Sequence, residues 1–170
     1  MSDYEVPEPI LCSPFDAPGS HWLLREGHEP TRAIGRRAAQ YFYRDPSRAA
    51  DERDDAGIAI LLPLVNRLRG RVQEWRQAGY PGTTRTTLEL LTYWQRDGRQ
   101  HRLFFAQREA AETIIFLIEG RRDLRQGIEV PSDEPSDAQK ADLGYRAFRR
   151  YSCKMATGSG KTTVMGLLAA

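Results

Sequence analysis

The run Thr157-Gly158-Ser159-Gly160-Lys161-Thr162-Thr163 constrains this 170-residue chain more than any other stretch. Glycines let a backbone turn tightly enough for successive N–H groups to point at phosphate oxygens, and Gly158 and Gly160 supply that freedom. A helix opening near Lys161 aims the positive end of its dipole at the anion. Lys161 is then the catalytic candidate, reaching the β- and γ-phosphates, and the Thr162 hydroxyl is the Mg²⁺ ligand. Thr157, Ser159 and Thr163 complete the nucleotide-binding set. The pattern G-x-x-x-x-G-K-[ST] is met except that Met155 stands at its first glycine. The competing reading is a Gly/Ser-rich turn that happens to precede Lys-Thr. Two features argue against it. An apolar run from Tyr151, expected as a strand, precedes the loop, and an apolar helix start follows. The chain also holds three lysines, Lys140, Lys154 and Lys161, and otherwise uses arginine for positive charge.

A net charge of +2 does not by itself demand a polyanionic partner, although abundant arginine leaves room for local basic faces. Cys12 and Cys153 are far apart, and Cys153 is expected to be buried in the strand before the loop. Neither points to a disulfide or a metal site. His21, His28 and His101 have no partners at ligand spacing. No uninterrupted apolar segment is long enough to span a bilayer, and the acidic, proline-bearing N-terminus is unlike a leader peptide. The expectation is a cytoplasmic protein without a membrane partner.

Residues 1–57 are rich in Pro, Gly and charge and read as an irregular extension with aromatic anchors, including a charged loop over 45–57. Residues 58–100 read as a helical region. Ile58, Leu61, Leu62, Val65, Leu68, Val72 and Trp75 recur at three- and four-residue spacing, with Pro63 suited to a first turn and Gly79 to a stop. Arg67, Arg69, Arg71 and Arg76 are placed on the opposite face, either solvated or facing phosphates. Thr86 and Glu89 have capping-box spacing for a second helix carrying Leu88, Leu91 and Trp94. Two helices around a turn permit a helix-turn-helix reading, which the long connection weakens.

A third helix is expected over 103–119, with Leu103, Gln107, Ala110, Ala111, Ile114, Ile115 and Ile118 on one side. Gln107 is either a boundary residue or an amide offering a donor and an acceptor to an adenine edge. Glu119, ending an apolar run, is either a surface acid or a displaced Mg²⁺ ligand. A polar loop follows around 131–137, with a helix start near Ser136. Tyr145, Phe148 and Tyr151 are expected to pack the approach to the loop.

Phe104-Phe-Ala-Gln-Arg-Glu-Ala110 and Lys154-Met-Ala-Thr-Gly-Ser-Gly-Lys-Thr-Thr163 together resemble the start of the first motor domain of superfamily-two helicases. The closest likeness is to the DEAD/DEAH-like Res subunits of type III restriction enzymes, where the loop commonly reads Met-Ala-Thr-Gly-Ser-Gly-Lys-Thr. Met155 then agrees with the pattern. The likeness extends to Ser13-Pro14-Phe15, His21-Trp22, Gly79-Tyr80-Pro81-Gly82 and Tyr93-Trp94-Gln95-Arg96-Asp97-Gly98.

The resemblance implies an α/β chain, with a mainly helical N-terminal region and then, over 101–170, the truncated start of a RecA-like P-loop NTPase domain. It implies ATP and Mg²⁺ as cofactors, DNA as the track and a methyltransferase subunit as a partner. Gln107 matches the family's adenine-reading glutamine, and Gly158, Gly160, Lys161 and Thr162 match its phosphate and Mg²⁺ positions. Such a motor also needs an Asp-Glu pair and a second lobe, which these residues do not display. ATP hydrolysis is therefore expected of a longer parent, with weak ATP binding by this chain alone. The alternative is a non-enzymatic DNA- or partner-binding helical module with a remnant loop.

Overall fold

The computed structural model describes residues 8–25, 28–43, 58–130, 132–134 and 138–170. The charged loop read over 45–57 lies outside them, as does the helix start read at Ser136.

Three helices carry the core. Helix α1, Pro63–Gln77, begins at its proline, where the missing N–H costs nothing because no intrahelical acceptor exists for it. Gly79, at φ 78°, ends the turn beyond it. Helix α2, Arg85–Gln95, follows, and helix α3, Phe105–Glu119, packs against α1. Val72, Trp75, Tyr80, Leu91 and Phe116 form one buried cluster, so the core joins residues on both sides of position 100. The Trp75 ring meets Tyr80 edge-on at 4.8 Å and Phe116 at 5.4 Å, arrangements that favour aromatic quadrupoles.

Strands are short and antiparallel. β1, Ser20–Leu23, pairs with β2, Thr31–Ile34, and β3, Gln40–Tyr43, pairs with β4, Ile58–Leu61. These strands interrupt the stretch read above as irregular. Ile58 and Leu61, read as part of the first helix's apolar face, belong to β4 instead, and both are exposed. The N-terminal arm is pinned to α1 by Asn66, whose Oδ1 accepts from the Ala39 N–H at 2.7 Å while its Nδ2 donates to the Ala39 carbonyl at 3.1 Å.

β5, Ser132–Asp133, pairs with β6, Phe148–Arg149, and the short helix α4, Ala138–Asp142, lies between them. Helix α5, Lys161–Ala169, packs on α3 through an element contact that buries Val164 and Leu167. The strand expected before the glycine loop is not formed: residues 150–156 are irregular, because no neighbouring strand among the described residues pairs with them. Cys153 is accordingly exposed rather than buried. Tyr145 and Phe148 are also exposed, at 63% and 53%, where a covered approach was expected. The chain is thus a mixture of helices and small antiparallel sheets, and among the described residues no helix is long and apolar enough to cross a membrane.

Candidate functional site: a glycine loop held by Gln107

The start of α3 is fixed from three directions. Its first N–H groups have no partner within the helix. Gln107 turns back so that its Oε1 accepts from the Phe104 N–H at 2.9 Å. The Phe105 N–H donates to the Pro14 carbonyl at 2.8 Å, which brings Ser13-Pro14-Phe15 to this helix end. The Phe15 ring then lies 5.7 Å from Phe104, and the Arg102 guanidinium sits 4.5 Å from the Phe15 centroid.

The other end of the Gln107 amide reaches the glycine loop. Its Nε2 donates to the Ser159 carbonyl at 3.0 Å, across 52 residues of sequence. A primary amide offers two donors and two carbonyl lone pairs. One of each is used here, so one donor and one acceptor remain. Gln107 is buried, at 6% exposure, which settles against a boundary position.

Gly158 and Gly160 both lie in the left-handed region, at φ 79°. A Cβ at Gly160 would also force the Gln107 amide to shift from the loop. The loop closes on the Ala156 carbonyl, which accepts from the Ser159 N–H at 3.3 Å and its Oγ at 2.7 Å. The Lys161 Nζ donates to the same carbonyl at 3.0 Å. This ammonium is exposed and held by a neutral acceptor, so its charge remains available to an anion. Lys161 and Thr162 open α5, and both are exposed together with Thr157 and Thr163. The Thr163 N–H donates to the Gly160 carbonyl at 3.0 Å. All the loop residues singled out from the sequence therefore gather at one helix N-terminus, with Gln107 beside them.

Among the described residues, no group of three or more His, Cys, Asp or Glu is placed to hold a metal ion. The fit of Mg²⁺ thus rests on the Thr162 hydroxyl at the open end of α5, a position suited to a metal carried on a phosphate rather than to a protein cage. Glu119 is not such a ligand. Its Oε2 accepts from the Thr84 N–H at 2.9 Å and its Oε1 from the Thr87 Oγ1 at 2.8 Å. It caps α2, and the helix dipole favours its charge there. The residue at the N-cap is Thr84, whose Oγ1 accepts from the Thr87 N–H at 3.2 Å, so the cap lies two residues before the Thr86 expected from the sequence.

The four arginines assigned to one exposed face of α1 separate. Arg76 turns inward and binds Glu112, which is fully buried, through Nε at 3.1 and 3.0 Å and through a third bond from its terminal nitrogen. Arg67 donates to the Gly127 carbonyl at 2.6 Å, Arg69 to the Arg37 carbonyl at 3.4 Å and Arg71 to Glu74 at 3.2 Å. The Tyr80 hydroxyl donates to Glu112 at 2.8 Å and accepts from the Gln95 Nε2 at 2.7 Å. Burial opposes the Arg76 charge, but hydrogen bonding to Glu112 and the Glu112 charge outweigh it and hold its pKa above the usual value. This network escaped the sequence reading. Its one local signal was Glu112 spaced four residues before Phe116 and four after Arg108, an acid on the same helical side as an aromatic core residue.

Ile118, placed on the apolar side of α3 from the sequence, is 59% exposed, whereas Phe105, Glu112 and Phe116 are buried. No protein-family model, curated protein or solved structure compared with this chain matches it.

Proposed function

We propose that the chain is the N-terminal part of an ATP-dependent DNA helicase or translocase of the type III restriction enzyme Res kind. In this reading the RecA-like domain begins with α3, and α5 is the helix that follows its phosphate loop. The observation that carries the proposal is the Gln107 amide bonded to the Ser159 carbonyl, which puts a side chain with one donor and one acceptor to spare beside the glycine loop.

In this site Lys161 withdraws from the Ala156 carbonyl to meet the β- and γ-phosphates, where the ammonium offsets the negative charge. The free N–H groups at the start of α5 orient the same phosphates. Gln107 uses its remaining donor and acceptor on the adenine edge, which gives preference for ATP over GTP. Thr162 supplies a hydroxyl to Mg²⁺, whose chemistry when bound is to polarise the phosphate oxygens. DNA and a methyltransferase subunit are the partners of the parent protein, where hydrolysis takes place.

The test is a fluorescence titration of the purified chain with N-methylanthraniloyl-ATP, with and without Mg²⁺. Weak, Mg²⁺-dependent binding is expected, reduced at least tenfold by Lys161→Ala, a loss of about 1.4 kcal/mol or more. Equal binding by wild type and Lys161→Ala, or none by either at millimolar nucleotide, would refute the reading.

A further inference from the structure

An arginine-rich cleft lies apart from the glycine loop. Five arginines, Arg36, Arg37, Arg69, Arg76 and Arg108, line a cleft of about 560 Å³ between the N-terminal arm, α1 and α3. That volume falls within the roughly 300–1,000 Å³ of small-ligand sites. Asp16 and Glu109 are the acids on its wall, and Glu112 is buried behind it. Arg36 pairs with Glu109 at 2.5 Å, and Arg76 is committed to Glu112. Among the described residues Arg37 and Arg69 make no ion pair, although the Glu109 charge acts on Arg69, and Arg108 stands 3.9 Å from Glu112.

Among the described residues few protein acceptors reach these three guanidiniums. Each carries five N–H donors. Arg37 donates to the Trp22 carbonyl at 2.6 Å, and Arg69 reaches the Arg37 carbonyl at a long 3.4 Å. The Arg108 Nε is buried without a hydrogen-bond partner, 3.9 Å from Glu112. The floor is the Phe105 ring, with the Arg36, Arg76 and Arg108 guanidiniums at 5.4, 5.9 and 5.6 Å from its centroid. Burial, and next the Arg36 charge, push the Arg69 pKa below the ordinary arginine value. An oxyanion relieves that crowding and fills the vacant donors, which an apolar or cationic ligand does not.

We propose that this cleft binds a phosphate oxyanion through Arg37, Arg69 and Arg108, independently of the glycine loop. The phosphate is either a free one or a link in a nucleic-acid backbone, since both present the same oxygens to planar guanidinium forks.

The experiment is fluorescence anisotropy of a labelled oligothymidylate titrated with the intact chain at two salt concentrations, with inorganic phosphate as competitor. Binding that weakens with salt is expected. The double variant Arg37→Gln/Arg69→Gln is expected to weaken it about tenfold, and Asp16→Asn to tighten it about twofold by removing the opposing charge. The Asp16→Asn gain cannot arise from misfolding, so it guards the test against an unstable double variant. Arg71→Gln, outside the cleft, is the control. Competition by inorganic phosphate at millimolar concentration identifies a free-phosphate site, and its failure to compete identifies a backbone-phosphate site. The proposal is overturned if wild type does not bind the oligothymidylate, if Arg71→Gln loses as much as the double variant, or if Lys161→Ala abolishes binding.

Discussion

Replacing Glu112 by glutamine keeps the shape of the side chain and removes its charge. The carboxylate has no exposure to solvent, and the Arg76 side chain retains 20%. Breaking one half of a buried pair costs about 3–5 kcal/mol, because the remaining charge is left without compensation. Two features moderate the loss. The amide carbonyl introduced at position 112 can still accept from the Tyr80 hydroxyl, which stands 2.8 Å from the native carboxylate, and Arg76 can recruit water at its exposed edge. About 3 kcal/mol is therefore expected, or a fall of about 8 °C in Tm for a chain of this size.

Urea unfolding followed by Trp fluorescence measures it, since Trp75 is buried against Tyr80 in the same cluster. A double-mutant cycle isolates the pair. Arg76→Met alone leaves a buried carboxylate with Arg108 at 3.9 Å as its nearest cation, and costs a similar amount. With Glu112→Leu as the other single variant, Arg76→Met/Glu112→Leu removes both members of the pair, so the double variant should lose at least about 2 kcal/mol less than the losses of Arg76→Met and Glu112→Leu added together. A Glu112→Gln loss under about 1 kcal/mol, or additivity in the cycle, would show that the pair does not hold α1 to α3.

The same network predicts alkaline sensitivity. Burial first, and then the Glu112 charge, push the Tyr80 hydroxyl up to about 12, above its ordinary 10.0. Its protonated form is favoured by folding, so the stabilisation is complete below about pH 10 and is lost as pH rises from about 10 to about 12. Unfolding free energies from urea should fall across that window by about 2 kcal/mol in wild type, and Tyr80→Phe should remove that part of the decline. Gln107→Leu strips the Phe104 N–H and the Ser159 carbonyl of their shared partner, at about 1–3 kcal/mol. In nucleotide titrations it should also erase the preference for ATP over GTP while retaining triphosphate binding. A preference that survived would take the adenine-reading role from Gln107.

The elements that the sequence made legible are those whose cause is local. Pro63 at the first turn and Gly79 beyond the last determine where α1 begins and ends, and both act on their own backbone. The glycine loop was legible for the same reason. β4 was not, because Ile58-Ala-Ile-Leu61 fits either a strand or the apolar face of a helix, and the choice is made by its pairing with Gln40–Tyr43. The α2 cap was displaced because a run rich in threonine offers several hydroxyls, and Glu119, from another helix, selects Thr84 and Thr87 among them. Arg76 could be placed on a helix face from spacing, but its partner stands 36 residues away. Gln107 was singled out for its chemistry, while its bond to the loop depends on how α3 and α5 pack.

The same packing accounts for the misplaced side of α3. Successive residues of a helix advance by about 100°. Glu112 is therefore about 140° around from Gln107, whereas Glu119 lies within about 20° of Glu112. Phe105 and Phe116 fall on the Glu112 side, which meets α1 and the N-terminus of α2. Gln107 and Ala111 fall on the other side and are buried in a helix that also packs against α5. A helix covered on two sides carries two apolar stripes, and the stripe with the longer aliphatic run was the one legible from spacing. That run holds Ile118, which shares the Gln107 side yet stands 59% exposed near the far end of the helix. The polar residues are then what distinguish the two sides. Glu112 and Glu119 fasten α1 and α2 through charge, and Gln107 fastens the glycine loop through a neutral amide. A charged group at position 107 would draw counter-charges to the loop, whereas an amide holds Ser159 and leaves the anion to Lys161.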